Sequence, residues 1–311
     1  MSEVTVAIPV RDGGRLLKDT LVALAAQTVE HELLVCDSGS RDGSLELARA
    51  YGARVMEIAP HDFGHGATRN VLLAEARGAY VALLTQDATP AGERWLAELL
   101  GGFALARDVG IVYGPYLPRP EDPPAVAREL RAWFASLAPD GAPRVERLDE
   151  RERTLSAREL VRQNDWEWVA RRGFFTDANA CVARSVWERA PFREVPYAED
   201  RVLALDVLRA GYAKAYVPAA GVVHSHAYTP TEELRRAFDE WRGLLEVYGW
   251  RRPADPRHLV RELRGAPTRQ NVLRLTGAVL GSRADRLPSG LRRRLSLEGR
   301  GAFAPLDLDE L

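Results

Sequence analysis

The first 115 residues alternate between short apolar runs and stretches of helical spacing, and that alternation leaves few folds open. Val4–Val10 predicts a buried strand, and Leu16, Leu17, Leu21 and Leu24 put an apolar stripe on a helix over 15–27. Leu33–Cys36 and Arg54–Ile58 predict the next two strands, on either side of a helix over 44–51. A helix over 67–76, a strand over 79–85, a helix over 95–107 and a strand over 111–113 complete the series. Strands separated by helices of about ten residues imply parallel βαβ units, with helices covering the sheet. The expected fold class is therefore α/β, with a mostly parallel central sheet flanked by helices.

The rhythm breaks after Tyr116. The run Leu117-Pro-Arg-Pro-Glu-Asp-Pro-Pro124 is a turn-rich connector whose prolines stop any helix. A helix is expected over 125–137, then a polar, Arg/Glu-rich mobile loop with helical pieces to about Trp168. A strand over 174–183, a helix over 200–210 and a strand over 215–224 follow, and from Thr231 the pattern is helical. The expected organisation is residues 1–115 and 116–228 as two halves of one domain, with 229–311 as a helical C-terminal extension.

Composition narrows the function classes. A chain of 311 residues is long enough for roughly two domains and a real core, at about 150 residues per domain. With 46% hydrophobic residues and 43 basic against 44 acidic side chains, general disorder is excluded, and a dedicated nucleic-acid binder would be more basic. Two cysteines, Cys36 and Cys181, make neither a disulfide framework nor a cysteine zinc site, and suit a reducing compartment. The run Val4–Val10 is too short for the core of a signal peptide, and no apolar stretch reaches the 18 or so residues of a membrane span. A soluble, cytoplasmic protein is expected. Lys18 and Lys214 are the only lysines, a chain-wide bias that reflects composition more than function. Residues 231–300 hold 16 arginines against 9 acids. That excess is either an ordinary solvated helical face or a peripheral contact with the anionic inner face of the cell membrane.

In an open parallel sheet, ligands collect at the carboxyl ends of the strands. There the sequence places Pro9-Val-Arg11-Asp12-Gly-Gly14, Asp37-Ser-Gly-Ser-Arg-Asp-Gly-Ser44 and Thr85-Gln-Asp-Ala88. Asp42 or Ser44 suits a cap for the following helix. Asp37, two residues before a glycine that admits a ligand, suits acceptance from a pyrimidine N–H or ribose hydroxyls. Arg69 and Asn70 follow the glycine-containing loop Phe63-Gly-His-Gly66, which can expose N–H groups to a diphosphate; pairing of Arg69 with a surface acid such as Glu75 is the alternative. This loop is neither a Walker loop nor a G-x-G-x-x-G fingerprint.

Ala7-Ile-Pro-Val10, Asp37–Ser44, Gly66-Ala-Thr-Arg-Asn70 and Thr85-Gln-Asp-Ala88, in that order and spacing, resemble family 2 glycosyltransferases. The resemblance covers 4 to about 228. It implies the nucleotide-diphospho-sugar transferase (GT-A) fold and inverting sugar transfer. Phe63–Asn70, Leu84–Pro90, Tyr113-Gly-Pro-Tyr-Leu-Pro-Arg119 and Val223-His-Ser-His-Ala-Tyr228 are most similar to rhamnosyltransferases.

From this resemblance follow roles. Pro9, Arg11, Asp37, Ser38, Arg69, Asn70, Gln86 and Asp87 would bind the nucleotide-sugar. Asp87 is the surviving carboxylate of the family's D-x-D signature, since Gln86 and Ala88 replace potential acids. One carboxylate is a thin site for Mg²⁺; His226, or His224, would add a ligand and tilt the choice toward Mn²⁺. Glu199-Asp200 resembles the catalytic acidic pair, with Asp200 the general base, although such a pair also compensates a helix dipole. Asp177 and Asn179 would line the acceptor or donor sugar, and Trp168, with Trp166, would stack on sugar rings unless it is core. The implied donor is dTDP-rhamnose, with UDP- and GDP-sugars open, and the acceptor a glycan or lipid-linked glycan. A sugar-phosphate nucleotidylyltransferase would need a Gly-rich Thr-Arg loop after the first strand, where Val10-Arg-Asp-Gly-Gly14 stands instead. A non-catalytic sugar-nucleotide-binding module would need no base.

Overall fold

The computed structural model describes residues 3–299, apart from 165, 196, 227, 254, 256, 258, 261, 262 and 264–267. Its strands are β1 (Val4–Val10), β2 (Glu32–Asp37), β3 (Arg54–Glu57), β4 (Tyr80–Leu84), β5 (Thr89–Pro90), β6 (Val109–Tyr113), β7 (Tyr116–Leu117), β8 (Arg144–Glu146), β9 (Asn179–Ala183), β10 (Ala213–Tyr216) and β11 (Val222–Val223). Helices α1 (Gly14–Ala25), α2 (Ser44–Ala50), α3 (His65–Glu75), α4 (Trp95–Gly101) and α5 (Pro124–Leu137) belong to the first half. They are followed by α6 (Ala157–Gln163), α7 (Trp166–Arg171), α8 (Arg184–Trp187), α9 (Glu199–Arg209), α10 (Pro230–Tyr248), α11 (Arg269–Gly281) and α12 (Ser289–Leu295).

Eight strands form one sheet in the order β3-β2-β1-β4-β9-β6-β10-β8, and β5-β11-β7 form a second, three-stranded sheet. Within the large sheet β3, β2, β1 and β4 are mutually parallel, and β9 is inserted antiparallel between β4 and β6. Strand alternation divides the core in two. Val4, Val6, Ile8 and Val10 of β1 join Leu17, Leu21 and Leu24 of α1 on one face, while Ala7 joins Leu72 and Leu73 of α3 on the other. In β4, Ala82 and Leu84 face α1's side and Val81 and Leu83 face α3's. A period-two strand covered on both faces reads as a continuous apolar run, which is why β1 and β4 are legible in the sequence.

The chain divides into two compact units, one of residues 1–153, 174–194 and 203–226, the other of the described residues of 154–173, 195–202 and 227–311. In the second unit α10 packs on α11. A Cβ on Gly277 would lie 2.1 Å from the Leu234 carbonyl oxygen, and one on Gly281 2.2 Å from that of Phe238, so small residues permit this close approach. A capping box of Thr229 and Glu232 starts α10, and Gly249, at φ +63°, ends it.

Several expected elements differ. The strand expected over 215–224 splits into β10 and β11, with Pro218 and Gly221 in the break. The helix expected over 95–107 is α-helical to Gly101 and tightens into a 3₁₀ helix over Gly102–Leu105, where a Cβ on Gly102 would meet Val112 at 2.5 Å. In the segment expected as a mobile loop with helical pieces, the helical pieces are α6 and α7, while β8 was not expected: it pairs with β10, and Arg147 forms a bidentate pair with Asp108 at 2.6 Å. The strand expected from Phe174 begins only at Asn179.

Gly114, just beyond β6, is wedged against the Ala220 carbonyl oxygen, which an added Cβ would approach to 1.9 Å. Gly114→Ala is expected to cost the upper part of about 1–3 kcal/mol, because backbone must move. Urea unfolding against the wild type checks this.

Candidate active site at the carboxyl edge of the sheet

The loops after β1, β2 and β4 meet at one sheet edge and are tied together by their own polar groups. Asp42 Oδ2 accepts the Gly14 N–H at 2.9 Å, and Ser44 Oγ accepts the Gly13 N–H at 2.9 Å. Asp42 thus serves both helices: its Oδ2 meets the start of α1, and its Oδ1 accepts the N–H of Ser44, the first residue of α2, at 3.1 Å. Asp12, at φ +47°, accepts the Arg41 N–H at 2.8 Å and closes the same knot.

The buried Asp37 carboxylate accepts the Gly39 and Ser40 N–H groups at 2.9 and 3.0 Å and the Ser40 hydroxyl. Three of its roughly four lone-pair positions are therefore used inside the loop. Ser38, expected at the nucleotide, is buried and donates to the Val10 carbonyl. Gln86, expected there too, bridges the Arg11 backbone, accepting its N–H at 2.8 Å and donating to its carbonyl at 3.0 Å. Pro9 is half-buried within β1, and Arg11 is exposed at its end.

Five further residues expected at the site, Arg69, Asp177, Asn70, Asn179 and Trp168, are engaged by partners inside the fold. Arg69 is buried, with Nε 2.6 Å from Asp177 Oδ2 and Nη2 donating to Asp177 Oδ1 at 2.9 Å. Arg69 therefore pairs with the buried Asp177 rather than with a surface acid such as Glu75. Asn70 donates to the Phe192 carbonyl at 2.7 Å and accepts from Phe192 N–H and Trp187 Nε1. Asn179 is fully buried: it accepts from Trp95 Nε1 at 2.8 Å and donates to the Pro115 and Ala220 carbonyls. Trp168 is buried edge-on against Tyr248, which corrects the stacking platform to core; the Trp166 side chain lies outside the described residues.

Asp87 is different. His224 Nδ1 and His226 Nε2 each lie 3.5 Å from one of its carboxylate oxygens. One ligand atom from each of the three lies within 4.8 Å of the others. The sequence reading needed one histidine; the structure brings both to Asp87. Burial pushes the Asp87 carboxyl up, but the two histidines together with hydrogen bonds from Thr85 and backbone hold the group below the ordinary range. Burial drives His224 down to about 4, so its ring is neutral near pH 7. Its buried Nδ1 has no hydrogen-bond partner. A neutral imidazole with an unused nitrogen, a second imidazole and a carboxylate fit a divalent cation.

Arg119 and Tyr116 were not picked out from sequence as site residues. Arg119 Nη2 donates to the Asp87 carbonyl at 2.6 Å, its Nε to the Ser225 carbonyl at 3.3 Å, and its N–H to the Ser225 hydroxyl at 3.1 Å. One arginine thereby ties the Asp87 loop to the His224–His226 segment. Tyr116 packs edge-on to His224, and its hydroxyl bonds that of Thr176. Both lie in the Tyr113–Arg119 motif, which was the available signal.

In the second unit, buried Glu199 and half-buried Asp200 form the first turn of α9. Asp200 Oδ1 accepts the Arg201 N–H at 2.7 Å. Ala198, immediately before them, has φ +64°. A non-glycine residue held in the left-handed region is characteristic of functional segments.

The mixed α/β sheet has GT-A architecture, the fold of two solved glycosyltransferase structures. A mannosyltransferase, PcManGT from Pyrobaculum calidifontis, solved with GDP-Man and Mn²⁺, superposes with a TM-score of 0.57 at 19% identity, over 91% of this chain and 73% of that one. S. aureus TarS 1–349 with UDP-GlcNAc gives 0.53 at 13% identity, over 95% of this chain and 84% of that one. Residues 5–158 match Glycosyl transferase family 2. The O-antigen chain rhamnosyltransferase RfbN of Salmonella typhimurium is 32% identical over 244 residues, 76% of this chain and 71% of the relative. The O-antigen chain rhamnosyltransferase WbaN of Salmonella anatum is 31% identical over 211 residues, 67% of this chain and 61% of the relative. The chain belongs to glycosyltransferase family 2 and is a glycosyltransferase, similar in sequence to rhamnosyltransferases.

Two outcomes check the site. Asp177→Ala leaves the Arg69 guanidinium buried and uncompensated, and is expected to cost about 3–5 kcal/mol in urea unfolding. Weaker nucleotide binding with an unchanged unfolding midpoint would instead mark Asp177 as a ligand residue. Arg119→Ala is expected to weaken Mn²⁺ binding about tenfold, read by electron paramagnetic resonance titration, because residues that fix ligand loops act at about 10–100-fold. Arg119→Lys should recover part of that loss.

Proposed function

We propose that this glycosyltransferase moves rhamnose from dTDP-rhamnose to a hydroxyl of a glycan or lipid-linked glycan, with inversion at the anomeric carbon. The observation that carries the donor is the 31–32% identity to two O-antigen chain rhamnosyltransferases. Asp200 takes the proton of the acceptor hydroxyl as that oxygen attacks the anomeric carbon. The bond from that carbon to the diphosphate oxygen breaks, and its electron pair leaves with the nucleoside diphosphate. Glu199 accompanies Asp200 in the first turn of α9. Asp37 uses its remaining acceptor capacity for the base or ribose, and exposed Arg11, with Pro9, faces the nucleotide.

Asp87, His224 and His226 would hold a divalent cation, and two imidazoles would favour Mn²⁺ over Mg²⁺. When bound, that ion neutralises charge on the departing diphosphate. Among the described residues no helix is long and apolar enough to cross a membrane. A lipid-linked acceptor would be met through the basic 231–300 stretch, where α12 carries Arg292, Arg293 and Arg294.

Calorimetric titration of dTDP, UDP and GDP with Mn²⁺ or Mg²⁺, followed by the matching sugar nucleotides, tests the donor. Preference for dTDP and for Mn²⁺ is expected; preference for GDP overturns the donor assignment. Asp200→Asn should bind nucleotide normally and lose about 10²–10⁴-fold in turnover, the usual contribution of a general base. Unchanged turnover removes Asp200 from the mechanism.

A further inference from the structure

A second cleft lies within the first unit, at the sheet edge opposite Asp37 and Asp87. It is lined by Arg153, Arg189, Arg193 and Arg209 together with Asp206, and encloses about 440 Å³. The strand register fixes its position. Ala183, where antiparallel β9 ends, pairs with Tyr80, where β4 begins. Arg189 follows that end through α8, and Arg209 closes α9 just before β10 begins. Arg153 stands in the turn of Glu152–Thr154, beyond the end of β8. Arg189 and Arg209 therefore lie toward the edge away from Asp87, while the Arg193 backbone reaches Gly66 at the start of α3.

The charge is unbalanced. Arg193 and Asp206 neutralise each other in a two-point pair at 2.7 and 3.0 Å. Arg153, Arg189 and Arg209 form no ion pair within 4.0 Å among the described residues, and the pocket lining has no second carboxylate. Arg153 Nε is buried and has no hydrogen-bond partner. Its guanidinium is held against the backbone, since a Cβ on Gly211, at φ +91°, would meet Nη1 at 2.8 Å. Guanidinium forks converging on a concave space, with a buried N–H left over, are suited to phosphate oxygens. The volume falls in the range of about 300–1,000 Å³ typical of small-molecule sites, so it admits more than a bare ion.

We propose that this arginine-lined cleft is a second binding site, distinct from the donor site, for a phosphate-bearing molecule: a soluble phosphate ester or diphosphate, or a phospholipid headgroup. The site needs no divalent cation, because its charge comes from arginine alone, and it stands independently of the donor assignment.

The test uses the full chain in EDTA, which removes metal-dependent nucleotide binding. Inorganic pyrophosphate is titrated by calorimetry, and vesicles of phosphatidylglycerol are compared with phosphatidylcholine by flotation. Expected is saturable binding to pyrophosphate, or flotation with phosphatidylglycerol only. Either should be weakened about tenfold or more in Arg153→Gln/Arg189→Gln/Arg209→Gln, as loss of charge-assisted hydrogen bonds requires. Binding should be unchanged in Asp87→Asn. Pyrophosphate binding identifies a soluble ligand, and flotation alone identifies a headgroup. Should the triple variant misfold, Arg189→Gln alone carries the comparison, because that side chain is exposed. No binding to either probe, binding retained without the arginines, or binding lost in Asp87→Asn overturns the proposal.

Discussion

Burial of the central strands on both faces is the constraint from which the rest of the molecule follows. Val4, Val6, Ile8 and Val10 pack toward α1 while Ala7 packs toward α3, and β4 repeats the division. A sheet used this way has no free face on which to build chemistry, so reactive groups are left to the loops at the strand ends. The order β3-β2-β1-β4 brings the loops after β1, β2 and β4 side by side.

Most polar groups on that edge are spent on one another. Asp37, Ser38, Gln86, Asn70 and Asn179 bond backbone groups, and Arg69 and Asp177 bond each other. These bonds fix the loops before any substrate arrives, which is the form of organisation that electrostatic catalysis rewards. Against that background Asp87, His224 and His226 are conspicuous, because their ligand atoms gather within 4.8 Å of one another and the buried His224 Nδ1 has no hydrogen-bond partner. Arg119 matters for the same reason, since it joins the two segments on which those three residues sit.

The fold was legible where one physical signal dominated. Double-faced burial made β1 and β4 continuous apolar runs, and helical spacing in Leu17, Leu21 and Leu24 located α1. The insertion of β9 between β4 and β6 carried no local signal, because strand order is decided by tertiary packing. The site was legible in residue type but less so in role. Asp87 with its two histidines could be anticipated from the chemistry of their side chains. Arg69, Asn70, Asp177 and Asn179 had the right chemistry too, yet each found a partner far away in sequence, such as Asp177 for Arg69 across 108 positions. A polar residue near a ligand edge reads the same in sequence whether it meets the ligand or braces the wall. Arg119 shows the reverse: a connector residue whose importance depends wholly on two distant loops.

The occupied start of α1 carries a consequence for how anions are handled. In dinucleotide-binding folds the first helix turns its bare amides toward the pyrophosphate, and the peptide dipoles receive the negative charge. Here the Gly13 and Gly14 amides are plugged by Ser44 and Asp42, the latter an acid. That electrophilic end is thus quenched by the chain itself. Counter-charge for a phosphorylated guest must come from cations, whether arginine or metal, and neutral backbone plays a smaller part than the topology alone would suggest.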